Sequence, residues 1–180
     1  MKIYIMRHGT TVWNEKGIIQ GRSQNRLSKE GVLLTEKVAR NFKDAKIDII
    51  LCSPMMRTMQ TANIVNRYHN VKIVKEEKLI EVDQGVLSGR KKRGLTEDEK
   101  KAKELRLAEF GMETWQSVFE RMKTFLEKLK KEEKSKNVLV VTHNACASYL
   151  SLILENAEVD FNSLEHRANF ANAQIKEYDI

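Results

Sequence analysis

The sequence predicts an α/β fold with a mostly parallel central sheet, and three observations support that prediction. Five short segments rich in β-branched or apolar residues have the length and composition of strands. Helical patterns lie between them, so strands and helices alternate along the chain. Two of the apolar segments end in a histidine, which indicates a ligand site at the carboxyl edge of an open α/β sheet.

The predicted strands cover residues 2–6, 48–52, 71–75, 137–142 and 173–178. Helices are predicted between them. Ser28 precedes apolar residues that recur on one face of a helix, and its side chain can cap the first helical turn. Ser53 and Pro54 indicate the start of another helix, with Ser53 as N-cap and Pro54 at the first helical position.

Two further helices are predicted in the second half of the chain. Apolar residues from Trp115 to Leu129 follow the three-and-four spacing, so the segment 113–134 is expected to be a long amphipathic helix that packs on the core. The segment 145–154 is expected to be a short, mostly buried helix directly after the fourth strand. The alternation therefore continues to the end of the predicted sheet.

Residues 82–110 interrupt this alternation. The segment contains three glycines, the basic run 90–93 and a charged stretch from residue 96 to 106. Thr96 and Glu99 have the spacing of a capping box, which predicts a helix start. We expect one domain over residues 1–180, in which this excursion (residues 82–110) passes over the sheet as a candidate lid.

The composition limits the class of partner. The chain has 180 residues, 41% of them hydrophobic, and a net charge of +7. This charge suits either nucleic acid or a small anionic substrate. Many lysines alternate with glutamates, however, and no basic strand carries the interleaved aromatic residues that stack on bases. We therefore expect a small phosphorylated substrate and no nucleic acid, while the oligomeric state is left open.

The cysteines and the hydropathy pattern bear on location. Cys52 and Cys146 are too few for a disulfide framework, and no Cys or His pair has the spacing of metal ligands. The first strand begins directly after Met1, and no apolar run has the roughly 20 residues that a membrane span needs. We expect a cytoplasmic protein with no metal, no cofactor and no membrane contact.

Four groups of residues are candidates for chemistry on phosphate. Arg7 and His8 end the first strand, and His143 ends the fourth, so the two imidazoles meet if these strands are neighbours. Arg57 lies in the first turn of a predicted helix, where free N–H groups already favour an anion. Glu81 is the carboxylate best placed to supply a proton to a leaving group, provided that burial raises its pKa.

These residues belong to a series of motifs that spans nearly the whole chain and resembles the histidine phosphatase superfamily, which includes the cofactor-dependent phosphoglycerate mutases and enzymes like fructose-2,6-bisphosphatase. The motifs are Arg7-His8-Gly9-x-Thr11-x-x-Asn14, Gln20-Gly21, Leu27-Ser28-x-x-Gly31, Ser53-Pro54-x-x-Arg57-x-x-Gln60-Thr61-Ala62, Leu79-x-Glu81-x-x-x-Gly85, Gly111-x-Glu113-Thr114 and Val141-Thr142-His143. Several ordered pieces are far more specific than any one of them.

The resemblance implies a phosphoglycerate mutase-like three-layer α/β/α sandwich and a set of catalytic roles. His8 would be the nucleophile that forms a phosphohistidine, Arg7, Arg57 and His143 would hold the phosphoryl oxygens, and Glu81 would be the proton donor and then the base. The substrate-binding residues that it implies are Asn14, Gln20, Gly21, Asn144 and Lys92.

We expect a phosphatase of the histidine acid phosphatase type that hydrolyses a small phosphomonoester without a metal. A mutase is an alternative, although the chain is short for the cap that a mutase needs. A non-catalytic module that binds phosphate or phosphoproteins is another. The chain departs from the family pattern at Gln24 and Arg26 in the loop after Gly21, at Asn144 after the second histidine, and at Cys52, where a serine is frequent.

Overall fold

The computed structural model describes residues 1–133, 135–161 and 169–180. Among these residues, five strands form one sheet in the order β3-β2-β4-β1-β5. The four strands β1 to β4 are parallel, and β5 runs antiparallel to β1 at the edge. The mostly parallel sheet predicted from the sequence is therefore confirmed. The strands are β1 Lys2–Arg7, β2 Ile49–Cys52, β3 Lys72–Lys75, β4 Val138–Thr142 and β5 Ile175–Asp179.

Helices cover both faces of the sheet. Alternate residues of a strand point to opposite faces, and β1 shows the division: Ile3 and Ile5 pack with α5 and α6, whereas Tyr4 and Met6 pack with α2 and α3. The fold is thus a three-layer α/β/α sandwich, as expected. The helices are α1 Val12–Glu15, α2 Lys29–Phe42, α3 Met56–Asn66, α4 Glu97–Leu105, α5 Trp115–Glu132 and α6 Asn144–Leu154.

Two of the predicted helix caps are present. The Ser28 side chain accepts a hydrogen bond from the Gly31 N–H at 3.0 Å and caps α2. Thr96 and Glu99 form the predicted capping box of α4. The predicted segments 113–134 and 145–154 correspond to α5 and α6, and residue 134 lies outside the described residues. The last strand begins two residues later than predicted, because Ala173 adopts a positive φ of 60° in the preceding turn.

The predicted start of α3 was wrong. The helix begins at Met56, with Met55 as N-cap and no capping side chain on that residue. Ser53 still belongs to the sheet edge, because its N–H donates to the Val141 carbonyl at 3.0 Å. The Ser53 hydroxyl contacts His143 instead of capping a helix. Gln24, from the loop after Gly21, accepts a hydrogen bond from the Met56 N–H at 3.0 Å and supplies the missing acceptor.

The excursion has a small apolar core of its own. Ile19, outside the excursion, packs with Leu87, Leu95 and Ala102 and with Met112, which follows the excursion. Gly85 allows a close approach here, because a Cβ at this position would lie 1.8 Å from the Phe110 carbonyl oxygen. The excursion is therefore packed against the loop that precedes Gln20. Across the part of the chain that the structure describes, no helix is both long enough and apolar enough to cross a membrane.

Candidate active site

Strand pairing brings the two strand-end histidines together. Arg7 of β1 pairs with Thr142 of β4, so the next residues, His8 and His143, lie side by side at the carboxyl edge of the sheet. The His8 N–H donates to the Thr142 carbonyl at 2.9 Å, and the ring centroids are 5.3 Å apart with an edge-to-face angle of 61°. The two imidazoles therefore meet, as the strand-end pattern predicts.

A cavity of about 360 Å³ opens at this edge. Nine of the ten candidate site residues line it, and His143 does not. His143 is fully buried behind the wall, where it contacts His8. The lining residues are Arg7, His8, Asn14, Ile18, Ile19, Gln20, Gly21, Arg57, Glu81, Val82, Gln84, Lys92, Lys103, Trp115, Asn144, Ala145, Ser148 and Asn169.

The backbone determines which nitrogen of His8 is free. Nδ1 lies 2.7 Å from the Gly9 carbonyl oxygen, and a carbonyl can only accept, so Nδ1 carries the proton and donates it. In the neutral ring, the lone pair is then on Nε2. Burial, with Arg57 and Arg7 nearby, lowers the pKa of His8 well below its usual value. The structure therefore favours a neutral His8 imidazole whose lone pair is on Nε2.

His143 is also held as a neutral ring. Its Nε2 lies 2.8 Å from the Ser53 hydroxyl oxygen. Its Nδ1 is buried and has no hydrogen-bond partner among the residues that the structure describes. Burial is the main cause that lowers the pKa of His143 well below its ordinary value, and Arg57 and His8 add to it. The ring thus has one nitrogen bound to Ser53 and one with unused hydrogen-bonding capacity.

The two arginines bring positive charge without a bonded carboxylate. Arg57 is fully buried and donates to the Ser23 and Gly21 carbonyls at 2.9 and 2.8 Å. Burial lowers the pKa of Arg57 to about 10. Arg7 donates to the Phe170 carbonyl. Neither guanidinium makes an ion pair within the described ranges, and the Nε of each is buried without a partner. Cations arranged in this way favour an anion between them.

Glu81 is the carboxylate in the wall of the cavity. It is partly buried, and its Oε1 accepts a hydrogen bond from the Val82 N–H at 2.9 Å. Burial raises the pKa of Glu81 although Arg57 and Arg7 act in the opposite direction. A carboxyl group with a raised pKa keeps its proton closer to neutral pH, which is the property that a general acid needs.

Glu113 and Arg121 hold the backbone on both sides of Glu81. Arg121 donates to the carbonyls of Lys78 and Ile80 at 2.6 and 2.7 Å. Glu113 accepts a hydrogen bond from the Asp83 N–H at 3.2 Å. The two side chains join each other through two parallel hydrogen bonds of 2.9 and 3.0 Å. We name this pair the Glu113–Arg121 clamp.

Arg121 was not predicted as a site residue from the sequence. Glu113 was predicted only as a member of a motif, and α5 only as an amphipathic helix that packs on the core. The one available signal was a positive charge directly before the buried position Met122 in the apolar pattern of that helix.

Asn14 and Gln20 line the cavity, and the oxygen of each side chain lies close to Thr11. The Asn14 Oδ1 accepts hydrogen bonds from the Thr11 N–H at 3.1 Å and from the Thr11 hydroxyl at 3.0 Å. The Gln20 Oε1 lies 3.0 Å from the same hydroxyl. The single proton of this hydroxyl can serve only one of the two oxygens at a time. In both side chains the NH₂ group is the part that can donate to a ligand oxygen.

The three other candidate ligand-binding residues have different surroundings. Gly21 has a positive φ of 48° and offers its carbonyl to Arg57. The Asn144 side chain accepts a hydrogen bond from the Phe170 N–H at 3.0 Å, so this departure from the family pattern tethers residue 170. Asn144 is also the first residue of α6, and the side chain of the N-cap residue, His143, makes no cap hydrogen bond. Lys92 is exposed on the excursion and reaches the rim of the cavity.

A family model described as the histidine phosphatase superfamily, branch 1, matches residues 3–180. The chain belongs to this superfamily. No group of three or more His, Cys, Asp or Glu side chains that could hold a metal ion occurs in residues 1–133, 135–161 and 169–180.

Relatives within the histidine phosphatase superfamily differ in how much of the chain they match. Over 188 aligned positions the chain is 29% identical to phosphoserine phosphatase 1 of Hydrogenobacter thermophilus, covering 94% of this chain and 89% of that protein. It is 38% identical over 90 residues to the probable phosphoglycerate mutase GpmB of Proteus mirabilis, covering 50% of this chain and 42% of the relative.

A solved structure supports the fold. The α-ribazole phosphatase from Shigella flexneri superimposes with a TM-score of 0.84 at 23% identity, covering 100% of this chain and 91% of that one. The predicted superfamily and the predicted architecture are therefore both confirmed.

Proposed function

We propose that this protein is a phosphomonoesterase that hydrolyses a small phosphorylated metabolite through a phosphohistidine on His8, without a metal ion. The observation that carries the proposal is the hydrogen bond from His8 Nδ1 to the Gly9 carbonyl, which leaves Nε2 as the nucleophile. Arg7 and Arg57 line the same cavity and supply the charge that a phosphate dianion needs.

In the first half of the reaction, the guanidinium groups of Arg7 and Arg57 hold the phosphate oxygens. His8 Nε2 attacks phosphorus, the bond between phosphorus and the ester oxygen breaks, and Glu81 donates its proton to the leaving oxygen. The alcohol departs, and the phosphoryl group stays on His8. The Gly9 carbonyl stabilises the positive charge that the ring gains, because it accepts the Nδ1–H bond.

In the second half, a water molecule attacks the phosphoryl group. The Glu81 carboxylate, which lost its proton in the first step, takes a proton from this water. The bond between phosphorus and Nε2 breaks, inorganic phosphate leaves, and His8 returns to the neutral ring. Glu81 is again protonated, so the cycle closes without any co-reactant other than water.

His143 has a supporting role in this proposal. If the Ser53 hydroxyl donates to His143 Nε2, the ring proton is fixed on Nδ1, the buried nitrogen that has no partner in the described part of the chain. That N–H can donate to a phosphoryl oxygen when His8 carries the phosphoryl group. Ser53, which was predicted to cap a helix, would then set the tautomer of the second histidine.

The extent of the similarities favours hydrolysis over a mutase reaction. The relative named as a phosphatase matches nearly the whole chain, whereas the mutase matches half of it. A mutase would return the phosphoryl group to a second hydroxyl of the substrate instead of passing it to water. Incubation with 3-phosphoglycerate and a trace of 2,3-bisphosphoglycerate distinguishes the two, because a phosphatase releases inorganic phosphate and a mutase yields 2-phosphoglycerate.

The central test is phosphate release from p-nitrophenyl phosphate by wild type and His8→Ala in the presence of EDTA. We expect the wild type to remain active and His8→Ala to fall below about one thousandth of its rate, because the nucleophile is missing. His69→Gln is the control, since His69 packs on Phe42 away from the cavity. Full activity of His8→Ala, or loss of wild-type activity with EDTA and its recovery with a divalent metal, would refute the mechanism.

A further inference from the structure

A second group of cations lines the cavity from the excursion. Lys103 of α4 and Lys92 of the short 3₁₀ turn Lys92–Gly94 both line the cavity that contains His8. The same two lysines line an adjoining groove together with Arg106 and Trp115. Lys103 lies in a stretch that the sequence interpretation treated only as a charged helix. The cavity is therefore bordered by cations on two sides, the arginines at the strand ends and the lysines of the excursion.

Lys103 differs from its neighbours in its pairing. Lys100, one turn earlier on α4, pairs with Glu97 at 2.6 Å, and Arg90 pairs with Glu99 at 3.1 Å. Lys103 is partly buried and makes no ion pair with any carboxylate of the described residues. Burial, Lys92 and Arg106 all lower its pKa. Glu104 also lines the groove but makes no ion pair with Lys103 among the described residues. A partly buried ammonium group with two cationic neighbours gains stability when an anion binds beside it.

Arg106 does not compete for that anion, because its guanidinium already has protein acceptors. It donates to the Glu113 carbonyl at 2.8 Å, to the Gln84 side chain at 2.9 Å and to the Asp83 carbonyl. Its charged group also lies 4.6 Å from the centre of the Trp115 ring. Arg106 thus fixes the end of α4 to the segment that carries Glu81, and it leaves Lys103 and Lys92 as the ammonium groups that can meet a ligand.

The basic run 90–93 contributes one member only. Arg90 is paired with Glu99, and the backbone of Lys91 bridges to Ile18. Of the four residues in the run, Lys92 alone lines the cavity. The pair that faces a ligand therefore combines one residue of this run with one residue of α4, eleven positions later in the chain.

We propose that Lys103, together with Lys92, binds a second anionic group of the substrate and selects phosphorylated carboxylic acids over neutral phosphomonoesters. This inference rests on the proposed function, since it assumes that Arg7 and Arg57 hold the phosphate. A cavity of about 360 Å³ is at the small end of ligand sites, which suits a compact molecule that carries both groups. The excursion would then determine specificity, and Lys103 is its specificity-determining residue.

The test uses two substrates that differ at one group. 3-Phosphoglycerate carries a carboxylate where glycerol 3-phosphate carries a hydroxymethyl group. We expect the wild type to favour 3-phosphoglycerate in kcat/KM. Lys103→Met keeps the apolar stem and removes the charge. We expect this variant to lower kcat/KM about tenfold or more for 3-phosphoglycerate and to leave kcat/KM for glycerol 3-phosphate almost unchanged. A tenfold loss is the effect expected from one hydrogen bond to a charged group.

Two further variants separate recognition from stability. Lys103→Arg keeps the charge and is expected to restore most of the preference. Lys101→Met removes an exposed lysine of the same helix, and this lysine lines neither the cavity nor the groove. We expect this variant to leave kcat/KM unchanged for both substrates. If Lys103→Met lowers activity equally on both substrates, Lys103 only stabilises α4 and the proposal is overturned. The proposal is also overturned if Lys103→Met leaves the ratio of the two kcat/KM values unchanged.

A binding measurement keeps this inference separate from the proposed function. In the His8→Ala background, calorimetry gives the dissociation constants of both compounds without turnover. A preference for 3-phosphoglycerate that Lys103→Met removes supports the second anion site even if the wild-type protein hydrolyses neither compound. If the dissociation constant for 3-phosphoglycerate is the same with and without the Lys103→Met substitution, the second anion site is refuted, even if the wild type proves to be an active phosphatase. An adverse result for one proposal therefore leaves the other intact.

Discussion

The strand-end side of the cavity and the excursion that borders it are built in different ways. At the strand ends, Arg57 and His8 are buried and bonded to backbone carbonyls at defined distances. On the excursion, Lys92 is exposed and Lys103 is partly buried, and neither has a paired carboxylate among the described residues. Under the two proposals, the buried groups at the strand ends act on the phosphate, and the more exposed lysines of the excursion recognise the rest of the substrate.

The fixed side depends on close packing between the first strand and two helices. The Gly9 N–H donates to the Thr61 hydroxyl at 3.0 Å. A Cβ at Gly9 would lie 2.2 Å from the Thr35 hydroxyl oxygen and 3.1 Å from the Gly31 carbonyl oxygen, so a larger residue would displace at least the Thr35 side chain. Gly9, the residue after His8, thus contacts both α2 and α3. The carbonyl that sets the His8 tautomer belongs to this same residue.

Glu81 lies between the two regions, and its removal should have the largest effect beyond that of His8. We expect Glu81→Gln to lower kcat on an alkyl phosphate by about 10²–10⁴-fold, because an alkoxide leaving group needs the proton. On p-nitrophenyl phosphate, whose leaving group needs little protonation, the loss should be much smaller. Glu77→Gln, at an exposed position just upstream, is the control. Equal losses on both substrates would contradict the role of Glu81 as general acid.

The pH dependence of kcat/KM should report the same two groups. His8 must be neutral, and its lowered pKa keeps it neutral at pH values below 6.5. Glu81 must be protonated, and its raised pKa extends the protonated form above pH 4.5. The rate is therefore expected to peak on the acid side of neutrality and to fall about tenfold for each pH unit above the pKa of Glu81. If the fall of kcat/KM at high pH persists for alkyl phosphates in Glu81→Gln, the group that causes this fall is not Glu81.

Substitutions in the Glu113–Arg121 clamp test whether the clamp keeps Glu81 in position. We expect Arg121→Met to lower kcat on alkyl phosphates by about tenfold through misplacement of Glu81, with little change on p-nitrophenyl phosphate. Glu113→Gln, which keeps the size of the side chain, should show the same leaving-group pattern if Arg121→Met folds poorly. Lys123→Met changes an exposed position of α5 and serves as control. A loss that is independent of the leaving group would assign the clamp to stability alone.

The smallest expected effect concerns the two helix caps. Thr96→Ala removes the capping box of α4 and should cost about 1 kcal/mol, which speeds amide hydrogen exchange in that helix by about fivefold. Ser28→Ala removes the cap of α2 in the main body and should lower the global unfolding free energy instead. Exchange measured by mass spectrometry separates the two outcomes. If Thr96→Ala accelerates exchange across the whole sheet, the excursion is not an independent unit.

Most of the fold could be predicted because its signals are local. Apolar runs at β1 and β4, the cap at Ser28 and the capping box at Thr96 act within a few residues, and each appears where the pattern indicates it. The start of α3 could not be predicted in this way. Ser53 pairs with the neighbouring strand and contacts His143, and both partners lie about ninety residues away in the chain.

The candidate site shows the same limit. Nine of the site residues expected from the sequence line the cavity, but nothing in the motifs indicates that His143 lies behind the wall, that Arg121 holds the backbone beside Glu81, or that Lys103 lines the cavity. These three facts depend on how a helix or the excursion is placed against the sheet. Contacts of this kind arise from the packing of distant segments and leave no local pattern.

The sequence alone determined the order of strands and helices along the chain, because this order follows from local periodicity. It also determined which residue types meet at the sheet edge, because these residues stand at the strand ends. Only the tertiary structure decided the tautomer of His8, the neutral state of the buried histidines and the pairing of charges around the cavity. The physical reason is that protonation and ion pairing depend on burial and on atom-to-atom distances, which are defined once separate segments have packed together.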